Sequence, residues 1–273
     1  MKIGWFSTGR GPGSRRLLAA VQEEIASGRL SVEIAVVFCN RERGEDPNTD
    51  EFLDLVRGCE LPLVCLSSRE FRRRRGGKPA KKGAPLPEWR REYDREAMRL
   101  LEPYRFELGV LAGYMLIFCQ EAARRWDLLN LHPAPPGGPK GVWQDVIWHL
   151  IESGAEQAGV MMHLATPDLD EGPPVTYGTY SIRGPAFDEL WETIADRDVT
   201  EVNEREGEAN PLFAEIRRHG LAHEVPLVIE TLRAFATERI AIRDKAVFDA
   251  DGRPVGPQDL TQEIRRSVAA SLA

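Results

Sequence analysis

The chain has 273 residues, 42% of them hydrophobic and 29% charged, and a formal net charge of −7. That is the make-up of an ordinary soluble globular protein, long enough to bury a real core as one large domain or a domain with an extension. No apolar run approaches the ~18 residues of a membrane span and the first ten residues hold no signal-peptide apolar stretch, so no membrane partner and a cytoplasmic location are expected; the acidic balance argues against nucleic acid.

Residues 2 to 7, K-I-G-W-F-S, form a short apolar run. It stops at T-G-R-G-P-G-S-R-R, a glycine-rich turn that opens an amphipathic helix. The amides of such a loop, with the positive end of the helix dipole, make an anion site, although a glycine turn before a helix is also common for steric reasons. Residues 32 to 40, V-E-I-A-V-V-F-C-N, are β-branched and almost continuously apolar, the pattern of a strand covered on both faces. A helix follows at about 49 to 58, then a strand at L-P-L-V-C-L. The run from 69 to 85, R-E-F-R-R-R-R-G-G-K-P-A-K-K-G-A-P, reads as a solvated basic loop, with an anionic substrate tail or an RNA as the alternative occupants. Pro87 begins another helix, and F-E-L-G-V-L-A-G-Y-M-L-I-F, 106 to 118, is a strand and turn.

Residues 128 to 141 read L-L-N-L-H-P-A-P-P-G-G-P-K-G. In an extended segment residues at i and i+2 point the same way, so Asn130 and His132 project into one space. A helix is expected at 141 to 154, with Trp143 and Trp148 in its core face, and two strands around the loop that carries Asp170. The stretch from about 197 to 210 reads as an insertion or flexible connector. A helix through V-P-L-V-I-E-T-L and a final hairpin with Asp251-Gly252 as its turn complete the chain. Cys39, Cys59, Cys65 and Cys119 have no C-x-x-C spacing and read as buried reduced thiols. The alternation of strand and helix through residue 150 argues for an α/β fold with a doubly wound, mainly parallel sheet and a site at the carboxyl ends of its strands. One α/β domain is expected over 1–183, with residues 184–273 as an extension packed on it.

The chemistry concentrates in three side chains. An amide such as that of Asn130 can donate to a developing oxyanion, and an imidazole such as that of His132 can carry a proton at neutral pH. A carboxylate such as that of Asp170, brought beside an imidazole, favours its charged form and fixes its orientation. Singly, each has a bland reading: Asp before Gly is a turn residue, and His163 on G-V-M-M-H-L reads as a satisfied structural histidine.

Together, Asn-x-His-Pro after a strand and His-x6-Asp-x-Gly-Pro further on resemble the signature of the folate-dependent formyltransferases. The resemblance runs in patches from Gly9 to about Gly256. It implies a catalytic group of Asn130, His132 and Asp170, with no metal. It places the acceptor's phosphate at Gly11, Gly13, Ser14 and Arg15, where an arginine stands in place of the family's asparagine. It places the folate against Arg90, the backbone of Met115, Leu116, Ile117 and Phe118, and Asn130. Leu116 replaces a family arginine. Arg218 and Leu221 fall where relatives carry acceptor-binding Gln and Glu, and Glu224 stands nearby. The implied reaction is formyl transfer from 10-formyl-tetrahydrofolate to a phosphorylated small-molecule acceptor, glycinamide ribonucleotide in purine synthesis. The alternatives are a sugar-nucleotide or tRNA acceptor, hydrolysis of the same folate by a deformylase, and a noncatalytic folate-binding protein. A homodimer is left open.

Overall fold

The computed structural model describes residues 1–79, 85–166 and 171–272. The chain begins β1 (Lys2–Ser7), α1 (Pro12–Ala26), β2 (Glu33–Cys39), α2 (Pro47–Gly58), β3 (Leu63–Cys65), α3 (Ser68–Arg74), α4 (Glu88–Leu101) and β4 (Leu108–Leu111). It continues α5 (Gln120–Arg125), β5 (Leu128–His132), α6 (Trp143–Glu152), β6 (Gln157–Leu164) and β7 (Pro174–Ser181). Then come α7 (Asp188–Glu192), α8 (Val199–Glu206), α9 (Pro211–Ala236), the hairpin β8 (Ile240–Arg243) and β9 (Ala246–Asp249), β10 (Gln258–Asp259) and α10 (Thr261–Leu272).

Eight strands form one sheet in the order β10-β7-β6-β5-β4-β1-β2-β3. The pairs β3·β2, β2·β1, β1·β4 and β4·β5 are parallel, whereas β6 runs antiparallel to β5 and β7 antiparallel to β6. The parallel half is apolar on both faces, as such a strand must be when helices cover both. In β1, Trp5 enters the core shared with α1, α2 and α9, and its neighbour Phe6 enters the opposite core with Tyr93 and Phe118. In β2 the same period of two sends Val37 and Cys39 to the first core and Val36 and Phe38 to the second. A third cluster packs α6, α8 and α9 together through Ile147, Val202 and Phe213. Burial pushes the Cys39 thiol up to about 12 and that of Cys65 up to about 11.

Strand order reverses at β1, which has β2 on one side and β4 on the other. In an open α/β sheet the crevice outside the carboxyl ends of the strands at such a point is where ligands bind. Here it lies between the loop after β1 and the loop after β4.

Three expectations need correction. The stretch 197 to 210 is helical rather than a flexible connector: Asp198 caps α8 through Thr200 N and Glu201 N, Val202 is buried, and Asn210 caps α9 through Phe213 N. The basic run from 69 starts as helix α3, capped by Ser67 on Glu70 N, instead of as a loop. The last hairpin turns first at Asp244 and Lys245, both left-handed at φ 47 and 62. Asp251-Gly252 makes a second turn, which returns the chain along β9 through Val255 N to Val247 O.

Helix α9 covers the sheet's antiparallel edge. Thr231 meets Thr176 of β7, 2.6 Å between hydroxyls, and the His223 ring stacks on Tyr180 at 4.2 Å. His223 Nδ1 donates to the His219 carbonyl. Burial holds both His219 and His223 below the ordinary histidine range, with the Arg218 charge adding to the effect at His219. The unfolded chain, with histidines near ~6.5, therefore takes up protons that the native state resists. Stability is expected to be flat above that pH and to fall as pH drops below it, by at most about 1.4 kcal/mol per pH unit for each histidine. Urea midpoints between pH 7.5 and 5.5 would show it, and His223→Phe should reduce the slope.

Candidate active site

Strand β5 ends at the crevice and presents Asn130 and His132 on one side, as its extended backbone requires. Antiparallel pairing sets His163 of β6 opposite Asn130 and Met161 opposite His132. The His163 Nδ1–H donates to the Leu164 carbonyl at 3.0 Å, so Nε2 carries a lone pair and accepts from Asn130 Nδ2 at 3.0 Å. That bond fixes which way the Asn130 amide faces. The His132 and His163 rings meet edge to face at 6.0 Å.

His132 is buried, and its Nε2–H donates to the Pro139 carbonyl at 2.8 Å. The Pro-Gly loop after β5 therefore folds over the imidazole. Its shape rests on Gly137, left-handed at φ +79, and on Gly138 N donating to Pro135 O. Lys140 ion-pairs with Glu171, tying this loop to the one that follows β6. Asp170 lies outside the described residues. The flanks of its loop are held close to β5: Ala165 N donates to Leu128 O and Leu164 N to Pro173 O. A Cβ at Gly172 would sit 1.6 Å from the Leu164 carbonyl oxygen, so only glycine passes there.

Across the switch point the loops after β1 and β4 are sewn together. Ser7 Oγ donates to Ala112 O, Thr8 N to Gly113 O, and Met115 N to Thr8 Oγ1. Gly9 is left-handed, φ +62, and turns the chain into α1. Gly11 caps α1 without a side-chain bond, and the first turn holds no acidic residue, so the helix end keeps its capacity for an anion. Ser14 is buried and Gly13 has open space beside it. Arg15 turns away to α2, bound to Glu51 at 2.7 Å and to the Asn48 carbonyl at 3.1 Å.

The loop after β4 exposes Met115 and buries Phe118, whose ring stacks on Tyr114 at 4.9 Å. No described residue bonds the Leu116 N–H or C=O. The Ile117 carbonyl accepts from Arg90 Nη2 at 2.7 Å. Arg90 itself is only 1% exposed, so it lies behind this loop and braces it. On α9, Arg218 pairs with Glu215, and the Leu221 carbonyl accepts from Arg16. Glu224 is buried against Arg217, whose guanidinium lies 4.3 Å over Trp143 at the start of α6. Among the described residues no group of three or more His, Cys, Asp or Glu could hold a metal, and no helix is long and apolar enough to cross a membrane.

The model of the formyl transferase family matches residues 1–197. The chain belongs to the formyl transferase family. Phosphoribosylglycinamide formyltransferase of Escherichia coli (strain K12) is 36% identical over 90 residues, which are 32% of this chain and 41% of that protein. Formyltetrahydrofolate deformylase of Bacillus subtilis (strain 168) is 27% identical over 152 residues, 55% of this chain and 42% of that one. The match thus spans under half the length of either curated relative. In fold, the phosphoribosylglycinamide formyltransferase of Coxiella burnetii superposes with a TM-score of 0.66 at 19% identity, over 95% of this chain and 98% of that chain.

Within this member of the formyl transferase family, His163 is a satisfied histidine, as expected, and its partner is the Asn130 amide. Its signal was present, a histidine on an apolar strand seven residues before Asp170, but its partner depends on the β5·β6 register. Arg90 is the residue whose surroundings differ most from a ligand-facing arginine. It sits 3.1 Å from Asp94, and Asp94 Oδ2 also accepts from Cys119 N at 2.6 Å. Burial raises the Asp94 carboxyl above the usual range, against the pull of Arg90 and the Cys119 amide. Removing one partner of a buried ion pair strands the other charge, at about 3–5 kcal/mol. Asp94→Ala should lose stability on that scale in urea unfolding, far more than Asp54→Ala at an exposed pair on α2.

Proposed function

We propose that the protein transfers a formyl group from 10-formyl-tetrahydrofolate to a primary amine on a phosphorylated acceptor, with glycinamide ribonucleotide as the specific substrate. The observation that carries this reading is the pairing of Asn130 and His132 on one side of β5 at the switch-point crevice, with the Asn130 amide oriented by His163. Family membership supplies the reaction class.

The acceptor amine attacks the formyl carbon and a C–N bond forms while the carbonyl electrons move to oxygen. The Asn130 amide keeps one N–H beyond that given to His163, and it donates to this oxyanion. His132 gives Nε2–H to Pro139, which sets the ring's orientation, and its imidazolium form supplies a second N–H. Asp170 serves to favour that charged form. Collapse of the intermediate breaks the bond to N10, and the proton released by the amine goes to the departing tetrahydrofolate nitrogen. The folate ring lies against the backbone of Met115, Leu116, Ile117 and Phe118, where no described residue bonds the Leu116 peptide groups. Arg90 positions that loop through Ile117. The acceptor's phosphate takes the amides of Gly11 and Gly13 and the Ser14 hydroxyl at the start of α1, while Arg15 serves through its hold on α2. No step calls for a metal.

Hydrolysis of the same folate is the second reading, favoured by the similarity to a deformylase and open to the same three side chains. The deciding assay is release of tetrahydrofolate from 10-formyl-tetrahydrofolate with and without glycinamide ribonucleotide. Release that needs the nucleotide is expected, and equal release without it would replace the transferase with the deformylase. Oxyanion donors contribute about 2.7–4 kcal/mol each, so Asn130→Ala and His132→Ala should each cut turnover by about a hundredfold or more at a temperature where circular dichroism shows the variant folded. Near-native turnover in either variant would sink the assignment.

A further inference from the structure

Thr8 stands between the two loops that the proposed function gives to different substrates, and its contacts reach both. It is the last residue before the left-handed turn at Gly9 that opens the glycine-rich loop, and only 3% of it is exposed. Its N–H donates to the Gly113 carbonyl at 3.1 Å and its hydroxyl oxygen accepts from Met115 N at 2.9 Å, so one residue holds the loop after β4 at two points. The second bond depends on the side chain. Met115 is 51% exposed, so without the hydroxyl its amide would turn to water and the loop would lose that tether without loss of the fold.

Behind Thr8 the chain is fixed. Its carbonyl accepts from Thr49 Oγ1 at 3.3 Å, Thr49 accepts from Arg41 Nη1 at 3.2 Å, and the buried Arg41 pairs with Asp46 at 3.1 Å. Gly9 N donates to Ser7 Oγ, and a Cβ at Gly9 would come within 3.1 Å of Phe52. Past Gly9 the restraint ends: no side chain caps α1 at Gly11, and Gly11 and Gly13 have open space beside them. Contact resumes at Ser14, whose Oγ lies 2.8 Å from the place a Cβ on the left-handed Gly113 would take. The glycine segment thus bears at both ends, through Thr8 and through Ser14, on one residue of the opposite loop.

We propose that Thr8 is a positioning residue that couples the two sites, so that a phosphate seated on the glycine segment tightens binding of the folate at the loop after β4. The inference rests on the acceptor-phosphate and folate assignments made above. A phosphate gathered by the Gly11 and Gly13 amides and the Ser14 hydroxyl orders a segment whose ends both rest on Gly113. Backbone freedom lost there is freedom that the opposite loop no longer has to lose when a ring settles against it. The coupling is reciprocal by thermodynamic necessity. The Thr8 hydroxyl is the part of the link that a substitution can remove, since the Gly113 contacts run through main-chain atoms and a glycine.

The test is calorimetric titration of the whole protein with tetrahydrofolate, which carries no formyl group to transfer, in saturating inorganic phosphate and in sodium chloride of equal ionic strength. The wild-type protein should bind tetrahydrofolate about fivefold more tightly in phosphate. Thr8→Val keeps the β-branched shape without the hydroxyl and should bind it equally in both salts, whereas Thr8→Ser should restore most of the difference. A threonine that served stability alone would lower the urea midpoint of Thr8→Val and leave the phosphate effect in place. That result, a Thr8→Ser variant without the difference, or equal affinity of the wild-type protein in both salts overturns the coupling and leaves the proposed function standing. Phosphate that fails to bind the wild-type protein overturns the coupling together with the acceptor-phosphate assignment. Failure to bind tetrahydrofolate in either salt overturns the folate reading itself.

Discussion

The pairing of β5 with an antiparallel β6 is the constraint on which the candidate site depends. Five parallel strands bring three loops to one edge, but a parallel sheet alone leaves β5 with an open flank. The reversal at β6 closes that flank and places a histidine, rather than another apolar residue, across from Asn130. The consequence is chemical. A lone asparagine side chain at a strand end can turn over at little cost, whereas one bonded to a histidine whose other nitrogen is committed to a backbone carbonyl cannot. Preorganised donors are worth more than mobile ones because no reorganisation is needed as charge develops.

The other side of the crevice is organised by backbone bonds between loops and by one buried ion pair. Ser7 and Thr8 connect the loop after β1 to the loop after β4, so neither moves independently. Behind them Arg90 spans Asp94 and the Ile117 carbonyl in a region almost free of water. A buried pair of this kind is costly to desolvate and adds little net stability over apolar packing. Its effect is positional: a carbonyl held by a charged, rigid guanidinium keeps the 114 to 118 loop in one shape, which the main-chain recognition proposed for this loop requires more than any particular side chain.

Legibility of the fold from sequence followed the strength of local pattern. The doubly apolar run of β2 and the amphipathic α1, α4 and α6 were readable because their burial repeats at the period of the element. Helix α8 was not, since only Val202 is buried and its seven other residues are polar or partly exposed. The turn at Asp244-Lys245 was hidden because neither residue advertises a left-handed backbone as glycine does. At the site, the shared direction of Asn130 and His132 followed from the strand period alone. The Asn130 contact to His163 required the register between two strands, and the burial of His132 required the path of a loop with no period at all. Arg15 and Arg90 kept their charge but not the surroundings that a ligand-facing arginine would have, because Glu51 reaches Arg15 from α2 and Asp94 pairs with Arg90 one turn along α4.

The loop from Ala134 to Gly141 shows how stiffness can serve such a site. Proline restricts the backbone before and at each of its positions, and glycine permits the left-handed turn at 137, so the segment has few conformations to lose on ordering. A segment this restricted can present the Pro139 carbonyl to His132 with little further entropic loss, where a flexible loop of the same length would exchange that bond for water. The Lys140–Glu171 pair then couples the loop to the one that carries Asp170. Because that pair is exposed, its energy is small, and its contribution is to keep two stiff segments in phase. The imidazole is thus oriented from the backbone side by a rigid carbonyl before any charge develops on the substrate oxygen in the proposed reaction.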